Sequence, residues 1–254
     1  MTSRRRLPYA ASTAVGVVVL GLAAAGCSGS TPDETPTPSE PEQVSAIQVC
    51  GGGLVSPAAG PSLERVLESS RFVIREDKEN ADVSSIAKAL ESAYRAGRKV
   101  RDTSIPSCDI SGAVKDVDSD RYYPTAYLRF RATSKDADVP DYMPGAKDAG
   151  TKGWAGFREY TVAFDCVSSR VGSTSGVPLR ITAEFHSKWD KGRAGESALA
   201  PDYVALAHSA ALAVAKELGC DARGGLPERP ERLPKAEPES GASPTPGAGA
   251  VPAG

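Results

Sequence analysis

Histidine, asparagine and aromatic residues are scarce in this chain. Its 254 residues hold two histidines, His186 and His208, one asparagine, Asn80, and 6% aromatics. There is no H-E-x-x-H and no short histidine spacing from which a histidine-rich zinc centre is built. The five cysteines include no C-x-x-C pair, which excludes a zinc ribbon and a thioredoxin-type redox site. Neither sign of charge dominates, with 30 Lys+Arg against 32 Asp+Glu and a net charge of −2. A protein that grips phosphate backbones needs a cationic excess on one face, so no nucleic-acid partner is expected. No repeat at solenoid periods is visible. The 25 glycines and 20 prolines follow no G-x-y period, which excludes collagen.

What is present begins at the N-terminus. Arg4, Arg5 and Arg6 form a positive region, followed by an apolar stretch over 9–25 that ends Leu22-Ala23-Ala24-Ala25-Gly26-Cys27. A run this short, with small residues at its end, reads as a secretory signal rather than a spanning helix. Ala25 and Gly26 directly before Cys27 resemble the lipobox of bacterial prolipoproteins. That resemblance covers about the first tenth of the chain. It implies a diacylglyceryl anchor on the Cys27 thiol, cleavage just before it, and a place on the extracytoplasmic face of the cell membrane. An ordinary secreted protein would instead leave Cys27 unpaired in an oxidising compartment. Ser3-Arg4-Arg5-Arg6-Leu7 also resembles a twin-arginine export signal. The near absence of asparagine, with plentiful Ala, Gly, Pro and Arg, is expected of a GC-rich, Gram-positive, actinobacterial genome.

Domain organisation follows from composition. Residues 1–26 are the signal. Residues 27–45 comprise the lipidated cysteine and a tether, SGSTPDETPTPSEPEQVS, which has too little apolar surface to order itself. Residues 46–222 are a single domain long enough for a real core. Residues 223–254 form a Pro/Gly-rich tail, expected to be disordered, whose four basic and four acidic side chains cancel.

With Cys27 lipidated, Cys50, Cys108, Cys166 and Cys220 remain for two disulfides, which allow three connectivities. Cys50–Cys108 and Cys166–Cys220 are the favoured pairs. Each closes a long loop and stabilises by roughly 4 kcal/mol on the chain-entropy model.

The core reads as α+β, an antiparallel sheet of three to five strands packed by two or three helices. Val83, Ile86, Ala87, Leu90, Ala93 and Tyr94 fall at helical spacing, with Asn80 or Asp82 as cap and basic residues at the end. A shorter helix is expected over 62–69 and a short strand over 71–75. Alternation predicts strands over 125–133, 158–168 and 178–189, each with one face in water, the last two joined as a hairpin. A long Ala-rich helix over 201–218 buries Tyr203, Ala207, Ala210, Val214 and Leu218, and Gly219 stops it. Such a helix lying on the sheet would carry Cys220 to Cys166. The polar segment 133–153 reads as a long loop.

Motifs of catalysis are incomplete. Ser85-Ile86-Ala87-Lys88 has the S-x-x-K spacing, but no K-T-G element accompanies it, and a solvated helix face is the reading. Asp116-Val117-Asp118-Ser119-Asp120 starts like a calcium loop, yet Arg121 stands where glycine is needed and Tyr127 where glutamate is needed. The Gly172–Gly176 segment carries Thr174 where a hydrolase elbow needs serine. His208 reads as a packed mid-helix residue. The outer face of the last strand offers Arg180, Glu184, His186 and Lys188. If the neighbouring strand adds Arg129 and Arg131, a face able to receive an anionic envelope ligand results. These six are the candidate ligand residues; no cofactor, metal or catalytic residue is assigned. The expected function is a lipid-anchored binding or accessory module engaging an envelope protein or a small ligand. An envelope-acting enzyme and a structural lipoprotein are the alternatives.

Overall fold

The alternating segment 125–133 forms strand β4 (Thr125–Thr133). The two segments that follow it form β6 (Glu159–Cys166) and β7 (Leu179–Ser187). These strands are the centre of one antiparallel sheet of seven, in the order β1 (Gln43–Val44), β2 (Phe72–Val73), β3 (Cys108–Gly112), β4, β7, β6 and β5 (Lys152–Gly156). The computed structural model describes residues 42–75, 78–97, 105–113, 124–133, 151–156, 158–189 and 192–232. All of them belong to the unit Glu40–Gly254, the second of two into which the chain divides. The signal, Cys27, the acidic segment 116–120 and the end of the tail lie outside the described residues.

Seven strands replace the three to five expected. The additional ones are β1 (Gln43–Val44), β3 (Cys108–Gly112) and β5 (Lys152–Gly156), alongside the expected short β2 (Phe72–Val73). Their sequences, QV, CDISG and KGWAG, are too short or too glycine-rich to show period-two alternation. They pair because a formed neighbour offers them a hydrogen-bonding edge. β5 lies partly inside the segment read as loop and pairs residue by residue with β6, Lys152 opposite Ala163 and Gly156 opposite Glu159.

Helix α1 (Gly60–Leu67) and helix α2 (Val83–Arg95) bury the apolar faces that their spacing predicts. The Asp82 carboxylate accepts the Ser85 backbone N–H at 2.7 Å and caps α2. That bond is the main cause of a carboxyl pKa below the ordinary value. Helix α3 (Gly192–Glu217) begins well before Pro201, where a start was expected. Proline removes one hydrogen bond, and the Ala- and Leu-rich turn around it carries the helix through. Leu206, Ala207, Ala210, Ala211, Val214, Ala215 and Leu218 are buried along α3. The alanines among them leave room for the helix to pack closely on the sheet. The sheet's core face carries Leu128, Phe130, Val162, Phe164, Ile181 and Phe185.

Disulfides fix both sides of this core. Cys50 joins Cys108 on β3, and Cys166 at the end of β6 joins Cys220 just past α3, with Cα separations of 5.7 and 4.9 Å. Gly219 at φ +67° turns the chain after α3, and the Ser168 hydroxyl donates to the Leu218 carbonyl at 2.7 Å. The second bridge is therefore reinforced by the hydrogen bonds of a helix end.

Order continues beyond the expected domain limits of 46 and 222. β1 pairs with β2 upstream, and downstream a 3-10 turn over Asp221–Gly225 packs on β6. Gly224, at φ +68°, lies so near Phe164 that an added Cβ would come within 2.6 Å of its ring. Leu226 is buried, and His208 Nε2 meets the Pro227 carbonyl at 2.9 Å. The carbonyl only accepts, so His208 carries its proton on Nε2. Burial, against the weaker pull of that carbonyl and of Glu231, holds the His208 pKa below its ordinary value.

Two outcomes follow. Replacing both Cys166 and Cys220 by alanine should lower the unfolding free energy by about 2–4 kcal/mol in urea titrations. Separately, the depressed His208 pKa favours the fold above pH 6.5, and that contribution is lost as pH falls below 6.5. Urea midpoints should drop over that interval, and His208→Gln should reduce the drop.

Candidate functional site

Residues opposite one another across antiparallel strands share a face, so register alone composes the second face of the sheet. Its first row runs Tyr127, His186, Glu159 across β4, β7 and β6. The next row is Arg129, Glu184, Thr161 and, on β5, Trp154. Beyond it lie Arg131, Thr182, Ala163 and Lys152, and then Thr133, Arg180 and Asp165. Arg129, Arg131, Arg180, Glu184 and His186, five of the six expected ligand residues, share this face. Lys188, the sixth, lies just past the end of β7 with its ammonium 5.3 Å from the Tyr127 ring centroid.

This face is not open to water along its whole length, contrary to the expectation for β7. Arg180, Thr182 and Glu184 are 6%, 2% and 9% exposed. β7 is a central strand, and side chains of its two neighbours, Tyr127 and Arg131 on β4 and Asp165 on β6, lie against it. Charges so covered need partners, and cross-strand neighbours supply them. Arg180 Nε donates to Asp165 Oδ1 at 2.9 Å. The Tyr127 hydroxyl donates to Glu184 Oε1 at 3.1 Å, and Arg131 Nη1 lies 3.5 Å from Glu184 Oε2. His186 Nδ1 lies 3.1 Å from Glu159 Oε2.

Tyr127 organises one end of the face. Its ring stacks on the His186 imidazole with centroids 4.9 Å apart and planes within 7°. The Arg129 guanidinium lies 4.5 Å from the Tyr127 centroid, a cation–π contact. Its phenol is pushed up to about 12, first by burial and then by the Glu184 carboxylate, against the opposing charge of Arg129. The hydroxyl therefore stays protonated and remains a donor to Glu184.

The face divides into two parts. Arg180 is committed to Asp165 and lies two rows from Glu184. Arg129, Arg131, Glu184, His186 and Lys188 gather around Tyr127 and Glu159, two residues absent from the expected set. One ligand atom from each of Glu159, Glu184 and His186 lies within 4.8 Å of the other two. Glu159 could have been placed from the hairpin register, because Cys166 opposite Leu179 puts Glu159 opposite His186. Tyr127 belongs to the polar alternation of β4, and no local motif marks its stacking role.

The other candidates separate from this site. Ser85 and Lys88 both lie on the exposed side of α2, consistent with a solvated face. His208 is buried under the C-terminal turn, on the other side of the sheet. No family model, curated protein or solved structure matches this chain.

The raised Tyr127 pKa has a stability consequence. The contribution is fully present below pH 10, the ordinary tyrosine value, and is lost as pH rises through about 12. Urea midpoints measured across that range should fall more steeply for the parent than for Tyr127→Phe. Burial also raises the Tyr160 pKa, so ultraviolet titration should show late-ionising phenols in the parent and one fewer of them in the variant.

Proposed function

We propose that this chain is a membrane-anchored extracytoplasmic lipoprotein whose domain acts as a binding or accessory module at the cell envelope. The observation that carries the anchor is the Ala25-Gly26-Cys27 sequence closing a short apolar stretch. The paired cysteines support an oxidising compartment, since disulfides persist there and are rare in reducing ones. Support for binding comes from the site around Tyr127. It is mounted on three paired strands rather than on loops, and its side chains are held by stacking and by cross-strand hydrogen bonds. A site so supported is preorganised, which reduces the ordering cost of taking a ligand.

Helix α3 offers a competing route to the membrane. Its Ala198–Glu217 portion is long and apolar enough to cross a bilayer, with a mean hydropathy of 1.3. Yet Leu206, Ala207, Ala210 and Val214 are packed in the core and unavailable to lipid. The anchor is accordingly assigned to Cys27.

Fractionation tests this assignment. Cys27→Ala should move most of the protein from the membrane to the soluble fraction, or leave it as an uncleaved precursor of higher mass. A mature-sized variant retained on membranes would refute the lipid anchor. For the binding role, native mass spectrometry of the purified protein should show excess mass that disappears on denaturation. Arg129→Ala and Lys188→Ala should lower the occupied fraction.

A further inference from the structure

We infer that Glu159, Glu184 and His186 form a binding site for a divalent transition-metal ion of the zinc class. This deepens the binding-module reading and rests on its choice of face. The three donors converge, with their ligand atoms within 4.8 Å of one another. Small side-chain rotations on three long residues bring such atoms to the 2.0–2.2 Å metal distances that imidazole nitrogen and carboxylate oxygen require, roughly.

Three further observations distinguish the cluster from a solvated surface grouping. The first is its support. Glu159 and His186 are directly opposed across β6 and β7, and Glu184 precedes His186 by two positions on the same face. All three backbones are fixed by sheet hydrogen bonds.

The second is orientation of the donors by their neighbours. The imidazole plane is held by the Tyr127 ring. The Glu184 carboxylate receives the Tyr127 hydroxyl and lies beside Arg131. Metal-ligating side chains are regularly fixed by such outer hydrogen bonds. Each carboxylate oxygen has two lone-pair directions, so these contacts leave Glu184 able to coordinate.

The third is charge. Two carboxylates are drawn together, one of them 9% exposed, in a setting where like charges repel strongly. A doubly charged ion at their meeting point neutralises both. Arg131 lies beside Glu184, and Arg129 and Lys188 lie against the Tyr127 ring, so all three oppose a cation at longer range. Their presence favours an ion held by short, directional bonds over one held by field alone. A mixed nitrogen and oxygen donor set suits zinc and its neighbours rather than magnesium or calcium. Three protein donors also leave a fourth position for water or for a ligand arriving at the cationic rim.

The test uses the full mature protein, lipid anchor included, in detergent micelles and stripped with chelator. Titration with zinc chloride by calorimetry should give one ion per chain, and magnesium chloride should give no comparable heat. Glu159→Gln and His186→Gln should each weaken zinc binding at least about 10-fold. Glu184→Gln keeps the acceptor for Tyr127 and should do the same. Tyr127→Phe should weaken it less while keeping the one-to-one ratio. Thermal melting without metal establishes whether each variant is folded, and conclusions are drawn from those that are. Absence of zinc binding by the parent would overturn the inference. Equal binding by parent and folded variants would overturn it too, placing the ion elsewhere. Either result leaves the retained-mass test of the binding face standing, because that test does not use zinc.

Discussion

Strand β7 hydrogen-bonds to β4 along one edge and to β6 along the other, and it buries side chains on both faces. Much of the domain's organisation follows from this position. On one side Ile181, Ala183 and Phe185 meet helix α3, whose alanines allow close packing. On the other, Arg180, Thr182 and Glu184 are buried and His186 is half-buried, beside Asp165, Tyr127, Arg131 and Glu159 of the flanking strands. A central strand in a mostly apolar environment usually carries apolar residues on both faces. Here one face is polar, and it is tolerable because its charges find partners across the strands.

Register links these two faces. The side-chain period of a strand is two, so a slip of one residue would exchange them. Phe185 and Ile181 would leave the core, and Glu184 would enter it beside α3. The Cys166–Cys220 bridge opposes such a slip of β6, because it ties the strand end to the residue that follows the α3 stop at Gly219. Ser168 bonded to the Leu218 carbonyl, and Gly224 seated against Phe164, hold the same junction. The geometry around Tyr127 therefore depends on covalent and packing constraints on the opposite side of the sheet.

The strongly periodic elements were legible from sequence. Strand β4 occupies the residues its alternation marked, and β6, β7 and α2 differ from their expected limits by a few residues at most. The failures have a common physical cause. Strands β1, β3 and β5 hold too few alternating side chains to carry a signal, and they exist because a neighbouring edge completes them. Burial of the polar face of β7 is similarly a property of what flanks the strand, not of the strand itself. Arg180 and Glu184 read as solvated because Asp165, Tyr127 and Arg131 are distant in sequence. Glu159 is legible one step further, because the register of the β6–β7 hairpin places it opposite His186.

A mixed-charge face constrains what it can bind. Were Arg129, Arg131 and Lys188 its only charges, any anionic polymer would be attracted, with affinity falling steeply in salt. Glu159 and Glu184 interrupt that field within one residue's reach of each cation. Against three cations, the two carboxylates weaken the attraction for an approaching anion until they are neutralised. A proton or a metal ion can do so, and only the metal ion also adds a positive centre with an open coordination position. On the proposed binding reading, the carboxylates that weaken a purely basic face would be the groups that make it selective. The cationic rim would then be the outer contact for an acidic ligand.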